Sequence, residues 1–141
     1  MEDHLKQLSE IKVSKFMIKD PLFTLPNEKI STTELIMVRK NIGGIPVVKD
    51  RKSRQLIGII TQRDIRLARF AMNLNTPNTT VKDLMTLEPF TVRENDTLMK
   101  VLEIMFENKI QRLPVVKEDN ELIGLVLRNE ILKKVLECMK K

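Results

Sequence analysis

Ile45-Pro46-Val47-Val48-Lys49, with Leu56-Ile57-Gly58 shortly after it, decides the fold, because both stretches return. The first returns as Leu113-Pro114-Val115-Val116-Lys117 and the second as Leu122-Ile123-Gly124. Pro46 and Pro114 stand 68 positions apart, as do Met17 and Met85, and Pro21 and Pro89. Gly58 and Gly124 stand 66 apart, so two residues drop out between the blocks of the second copy. A unit present twice implies halves that bury their apolar faces together rather than alone.

Working outward, each copy reads in the same order. A turn at Pro21 or Pro89 leads into an extended segment, Phe23-Thr24-Leu25 or Phe90-Thr91-Val92. A helix follows. In the second copy Leu98, Val101, Leu102, Met105 and Phe106 recur at helical spacing, with Asn95, Asp96 and Thr97 as N-cap candidates. In the first copy the helix, about residues 31–40, takes Ile30, Met37 and Val38 as apolar anchors. Asn41-Ile42-Gly43-Gly44 or Lys109-Ile110-Gln111-Arg112 comes next, and the glycines suit a helix stop that something approaches closely. Ile45–Val48 and Leu56–Ile60, joined by the polar Lys49–Gln55, predict a β-hairpin. Leu113–Val116 and Leu122–Leu127, joined by Lys117–Glu121, predict its twin. A last helix starts near Asp64 or Glu130.

Each unit is therefore β-α-β-β-α, and the fold class is α+β. Residues 1–12, with Leu5, Leu8 and Ile11 three apart, form a leading helix. Residues 13–70 are the first repeat, 71–80 a polar, proline-containing linker, 81–136 the second repeat and 137–141 the end of the C-terminal helix. One register stays open. The prolines align Thr24 with Val92, whereas the local Phe-Thr match aligns it with Thr91. A slip of one residue turns a strand side chain to the opposite face.

Composition narrows the function. The 141 residues suit one compact domain. Cys138 is the only cysteine, which excludes an internal disulfide and leans toward a reducing compartment. No apolar run is long enough to span a bilayer, and residues 1–15 lack a signal core. The expectation is a cytoplasmic protein. The only histidine is His4, and the four glycines form no phosphate-cradling loop, so catalysis and a metal site are not expected. The net charge of +6 and pI near 9.6 suit an anionic ligand, nucleic acid or an acidic partner. The positive charge clusters at Lys49–Arg54, Arg63–Arg69 and Lys133–Lys141. No Trp or Tyr is present to stack bases.

The duplicated h-P-V, L-I-G and T-x-x-D blocks resemble a tandem of CBS domains, named from cystathionine beta-synthase, over nearly the whole chain. The resemblance implies two repeats packed through their sheets with pseudo-twofold symmetry. It implies a non-enzymatic regulatory module that needs no cofactor. Its ligand would be adenine-containing: AMP, ADP, ATP, NAD or S-adenosylmethionine. It further implies a standalone homodimer and a regulated partner protein. Each cleft would take its T-x-x-D from one repeat and its base wall from the other. The first cleft would pair Thr61, Arg63 and Asp64 with Phe90, Thr91, Ile110, Gln111, Arg112, Leu113 and Pro114. The second, weaker cleft would pair Asn129 and Glu130 with Thr24, Ile42, Gly43, Gly44, Ile45 and Pro46. It is weaker because Leu127 stands where the first repeat has the Thr61 hydroxyl.

The residues support these roles chemically. A carboxylate accepts bonds from both ribose hydroxyls, and Arg63 and Arg112 can pair with phosphate. The N–H groups at the start of the helix beginning near Asp64 favour an anion. Thr61-Gln62-Arg63-Asp64 reads equally well as a helix capping box. Two other functions remain open at this point: nucleic-acid binding through the basic clusters, and a purely structural dimerisation module without ligand.

Overall fold

The computed structural model describes residues 2–72 and 78–141. Part of the expected linker, residues 73–77, lies outside the described residues.

The sequence repeat is carried into the backbone. Strands β2 (Gly44–Val48) and β3 (Leu56–Thr61) form one antiparallel hairpin, and β5 (Arg112–Lys117) and β6 (Glu121–Leu127) form its twin. Gly44 pairs with Thr61 as Arg112 pairs with Leu127, and a β-bulge follows Val47 in one hairpin and Val115 in the other. Each hairpin lies in a three-stranded sheet whose third strand is very short. β4 (Thr86–Leu87) adds to β3, and β1 (Ile18–Lys19) adds to β6. β2 and β5 lie at sheet edges, where Pro46 and Pro114, lacking an N–H, are tolerated.

The sequence repeat and the compact unit are not the same stretch of chain. One unit joins Met1–Pro21 to Phe90–Lys141, and the other is Leu22–Pro89. The leading segment of each repeat thus belongs to the unit built on the other repeat's hairpin. The bonds that hold it recur at the repeat spacing. Val13 N–H donates to the Asp96 carbonyl at 2.8 Å, and Val81 N–H to the Glu28 carbonyl at 2.9 Å. Leu98 N–H donates to the Ile11 carbonyl at 2.8 Å, and Ile30 N–H to the Thr79 carbonyl at 3.0 Å.

The glycines of the two L-I-G blocks permit this arrangement. A Cβ on Gly58 would stand 2.8 Å from the Thr86 carbonyl oxygen. A Cβ on Gly124 would stand 2.7 Å from Met17 Sδ and 3.1 Å from the Ile18 carbonyl oxygen. The short leader strand can close onto the hairpin only where no side chain intervenes.

The helices are α1 (Glu2–Ser9), α2 (Ile30–Lys40), α3 (Gln62–Met72), α4 (Val81–Leu84), α5 (Leu98–Asn108) and α6 (Arg128–Met139). The sequence reading missed α4, whose counterpart in the first repeat is a 3-10 turn at Val13–Lys15. Thr97 proves to be the N-cap of α5, its hydroxyl accepting from Lys100 N–H.

Two expectations need correction. Val38, an expected anchor, and Phe106, on the expected apolar stripe, are 64% and 81% exposed. They follow Met37 and Met105 by one residue, and a rotation of 100° per residue carries them off the buried stripe. The helix stops are made by Asn41 and Lys109 in left-handed conformation (φ 53° and 55°), not by Gly43 and Gly44. The register left open by the sequence follows the prolines: Thr24 bridges Val47 as Val92 bridges Val115, so Val92 is the counterpart of Thr24.

Each unit has its own core. Val13, Phe16, Val92, Leu98, Val101, Met105, Leu113, Val115, Val126 and Ile131 fill the one. Ile30, Met37, Ile45, Val47, Ile60, Ile65 and Val81 fill the other. Each large aliphatic chain buried this way contributes about 1.5–3 kcal/mol. Among the described residues, no helix is long and apolar enough to cross a membrane.

Candidate ligand-binding site

Within the unit Leu22–Pro89, the end of β3 and the start of α3 stand beside the entry to β2. Gln62 N–H donates to the Gly43 carbonyl at 2.9 Å, and Gln62 Nε2 to the Ile42 carbonyl at 3.0 Å. Thr61 lies opposite Gly44. Thr24 runs alongside the same strand, its N–H donating to the Pro46 carbonyl at 2.9 Å. Thr61 and Asp64 therefore share one end of the hairpin with Ile42, Gly43, Gly44 and Ile45.

The Thr61–Asp64 capping box is present. Asp64 N–H donates to Thr61 Oγ1 at 3.1 Å, and Thr61 N–H donates to Asp64 Oδ2 at 3.0 Å. Both side chains are partly buried, while Arg63 is exposed. The cap fixes the rotamers of the two groups that the sequence had marked as ligand contacts. A preset rotamer lowers the entropy lost on binding.

The other unit repeats the backbone frame with different chemistry. Arg128 N–H donates to the Gln111 carbonyl at 3.2 Å, matching Gln62 and Gly43. Leu127, at the N-cap of α6, offers no side-chain bond. Asn129 is exposed and Glu130 partly buried. On the entry side, Leu113 and Pro114 are buried, Ile110 and Arg112 partly so, and Gln111 is exposed. Thr91 is partly buried and Phe90 is 53% exposed.

The sequence reading drew each cleft from both repeats. Inside a single unit, the structure brings each helix start together with the strand entry of its own repeat. Thr61, Arg63 and Asp64 thus share a unit with Thr24, Ile42, Gly43, Gly44, Ile45 and Pro46. Asn129 and Glu130 share one with Phe90, Thr91, Ile110, Gln111, Arg112, Leu113 and Pro114.

Two charges of the unit Leu22–Pro89 are committed elsewhere. Arg69, in the basic cluster at Arg63–Arg69, pairs through Nη1 and Nη2 of its guanidinium with Glu34 on α2, and that bond raises its pKa. Asp83 closes the capping box of α4, and the Thr80 N–H holds its carboxyl below the usual range. Among the described residues, no group of His, Cys, Asp and Glu is arranged to hold a metal ion.

A duplicated hairpin with a helix start lodged at each strand entry defines a paired-repeat fold. The CBS domain model matches residues 13–70 and again 81–137, and the chain belongs to the CBS domain family. It is similar to CBSX2 in complex with AMP, at 28% identity and a TM-score of 0.81, covering 92% of this chain and 98% of that one. It is similar to the CBS domain pair of protein MJ0100 in complex with 5-methylthioadenosine and S-adenosyl-L-methionine. That likeness has 29% identity and a TM-score of 0.78, covering 93% of this chain and 98% of that one. Among curated proteins it is 34% identical to the inosine-5'-monophosphate dehydrogenase of Korarchaeum cryptofilum over 132 residues. The match takes in 93% of this chain but only 26% of the enzyme.

Proposed function

We propose that the chain is a non-enzymatic, cytoplasmic regulatory module that binds an adenine-containing ligand: AMP, ADP, ATP, NAD or S-adenosylmethionine. The observation that carries this is the Thr61–Asp64 cap set against Gly43 and Gly44. Asp64 commits Oδ2 to the cap and can offer Oδ1 to a ribose hydroxyl. Thr61 and Arg63 supply donors for a phosphate. The proteins of similar structure that hold AMP, or 5-methylthioadenosine with S-adenosyl-L-methionine, support an adenosyl ligand. The frame around Glu130 binds more weakly because Leu127 has no hydroxyl.

The regulatory mechanism is linkage. A ligand shifts the module between arrangements by its differential affinity for them, and a partner protein reads the shift. A homodimer is part of the proposal. Val38 and Phe106, and Phe70 and Leu136, are exposed apolar side chains at matching positions of the two repeats. A repeated apolar surface suits a second copy with the same repeat.

Thermal unfolding with each of the five ligands tests the reading. Ligand at 100 times its Kd adds about 2.7 kcal/mol of stability. The ligand-induced rise in Tm should collapse in Asp64→Ala, measured from that variant's own ligand-free Tm, and persist in Glu130→Ala. No rise with any ligand would exclude an adenosyl sensor. Equal loss in Asp64→Ala and Glu130→Ala would exclude the inequality of the two frames.

A further inference from the structure

The connection between β2 and β3 lies at the opposite end of the hairpin from Thr61 and Asp64, and the proposed ligand does not use it. Its Lys49–Gln55 stretch carries Lys49, Arg51, Lys52 and Arg54 against a single acid, Asp50. The turn is well fixed. Lys49 N–H donates to the Gln55 carbonyl at 2.8 Å, Arg54 N–H to the Asp50 carbonyl at 3.1 Å, and Ser53 N–H to Asp50 Oδ1 at 2.7 Å. Asp50 is thereby engaged in closing the turn. Beneath the turn, Phe23 gathers two of the cations: Arg51 Cζ lies 5.8 Å and Arg54 Cζ 5.5 Å from its ring centroid. Cation–π contact uses the face of a guanidinium, whereas pairing with a carboxylate uses its edge, so Arg51 can do both.

The second repeat lacks all of this. Thr91 replaces Phe23 at the structural offset of 68. The matching turn is shorter and acidic, with Glu118, Asp119 and Glu121, and its Lys117 pairs with Glu121 at 3.4 Å. The basic turn is therefore not a requirement of the repeated fold.

We propose that the Lys49–Gln55 turn, braced by Phe23, is a docking site for an acidic segment of a partner protein. Single-stranded nucleic acid fits it less well. Such binders track the backbone along a groove and stack bases on aromatic faces, whereas here the cations occupy one turn and the single ring is already engaged by arginines. Duplex DNA fits less well too. A β-ribbon reads the major groove with its strands, and β2 is buried along its whole length.

Fluorescence anisotropy of the full chain with a labelled oligoglutamate peptide tests this, with oligothymidylate of equal charge as competitor. The expected result is binding that weakens at least about tenfold in Arg51→Glu/Lys52→Glu. Phe23→Leu should weaken it less, by loosening the arginines without removing charge. Lys133→Glu/Lys140→Glu, an equal charge change on α6 and just after it, should leave binding within about twofold. Three outcomes would overturn the proposal: no peptide binding, equal weakening by the α6 control, or displacement of the peptide by oligothymidylate at lower concentration than by unlabelled oligoglutamate.

Discussion

Thr24 and Thr33 are the two buried polar side chains of the first repeat, and they satisfy each other across 3.2 Å. Their counterparts in the second repeat are Val92 and Val101, also buried. One backbone therefore accommodates both a hydroxyl pair and its apolar isostere. Thr33→Val alone strands the Thr24 hydroxyl and is expected to cost about 1–3 kcal/mol. Thr24→Val/Thr33→Val should return to within about 1 kcal/mol of the parent, because replacing both partners removes the unsatisfied group. Urea denaturation of the two variants decides it, and a double variant as unstable as the single would contradict the argument. Residue identity alone could not settle the register that places this pair. The Phe-Thr echo at positions 90 and 91 pointed one residue away, whereas the strand contacts follow the prolines. Thr61 and Asp64 were legible as chemistry, but both readings of them, cap and ligand contact, call on the same two side chains. Only geometry shows that the cap is made.

Hairpins and α5 were legible as elements because alternating and helical periods run long enough to be recognised. β1 and β4, two residues each, carry no period, and α4 is a single turn. Their presence was written instead in Gly58 and Gly124, which mark where another strand must come close. Gly58→Ala should destabilise by about 1–3 kcal/mol, since its new methyl would meet the Thr86 carbonyl, and backbone yields little. Gly124→Ala should cost less, because its closest neighbour is the flexible end of Met17. Thermal melts of the two variants give the comparison, and a larger loss in Gly124→Ala would refute this reading of the contacts. The exposure of Val38 and Phe106 escaped detection for a different reason. Apolar residues at the margin of a helical stripe fit the periodicity whether or not anything covers them.

For the whole molecule, the offset of 68 announced two copies of one fold, but not which leader closes onto which hairpin. That depends on contacts between residues far apart in sequence. Because each unit needs a leader from the other repeat, residues 1–72 and 79–141 produced separately should each lack a strand and expose a sheet edge. Each fragment alone is expected to show weak, non-cooperative melting by circular dichroism, and the mixture to recover one cooperative transition. Two fragments that each melt sharply alone would show the exchanged leaders to be dispensable.

The same crossing has a mechanical consequence. The chain enters through Met1–Pro21, leaves to build Leu22–Pro89, and comes back for Phe90–Lys141. Both ends thus emerge from one body, and the other is a closed insert threaded between Pro21 and Phe90. Tension between the termini is carried by the β1–β6 pairing and its surrounding core. The body containing Asp64 stays unloaded until that clamp gives way.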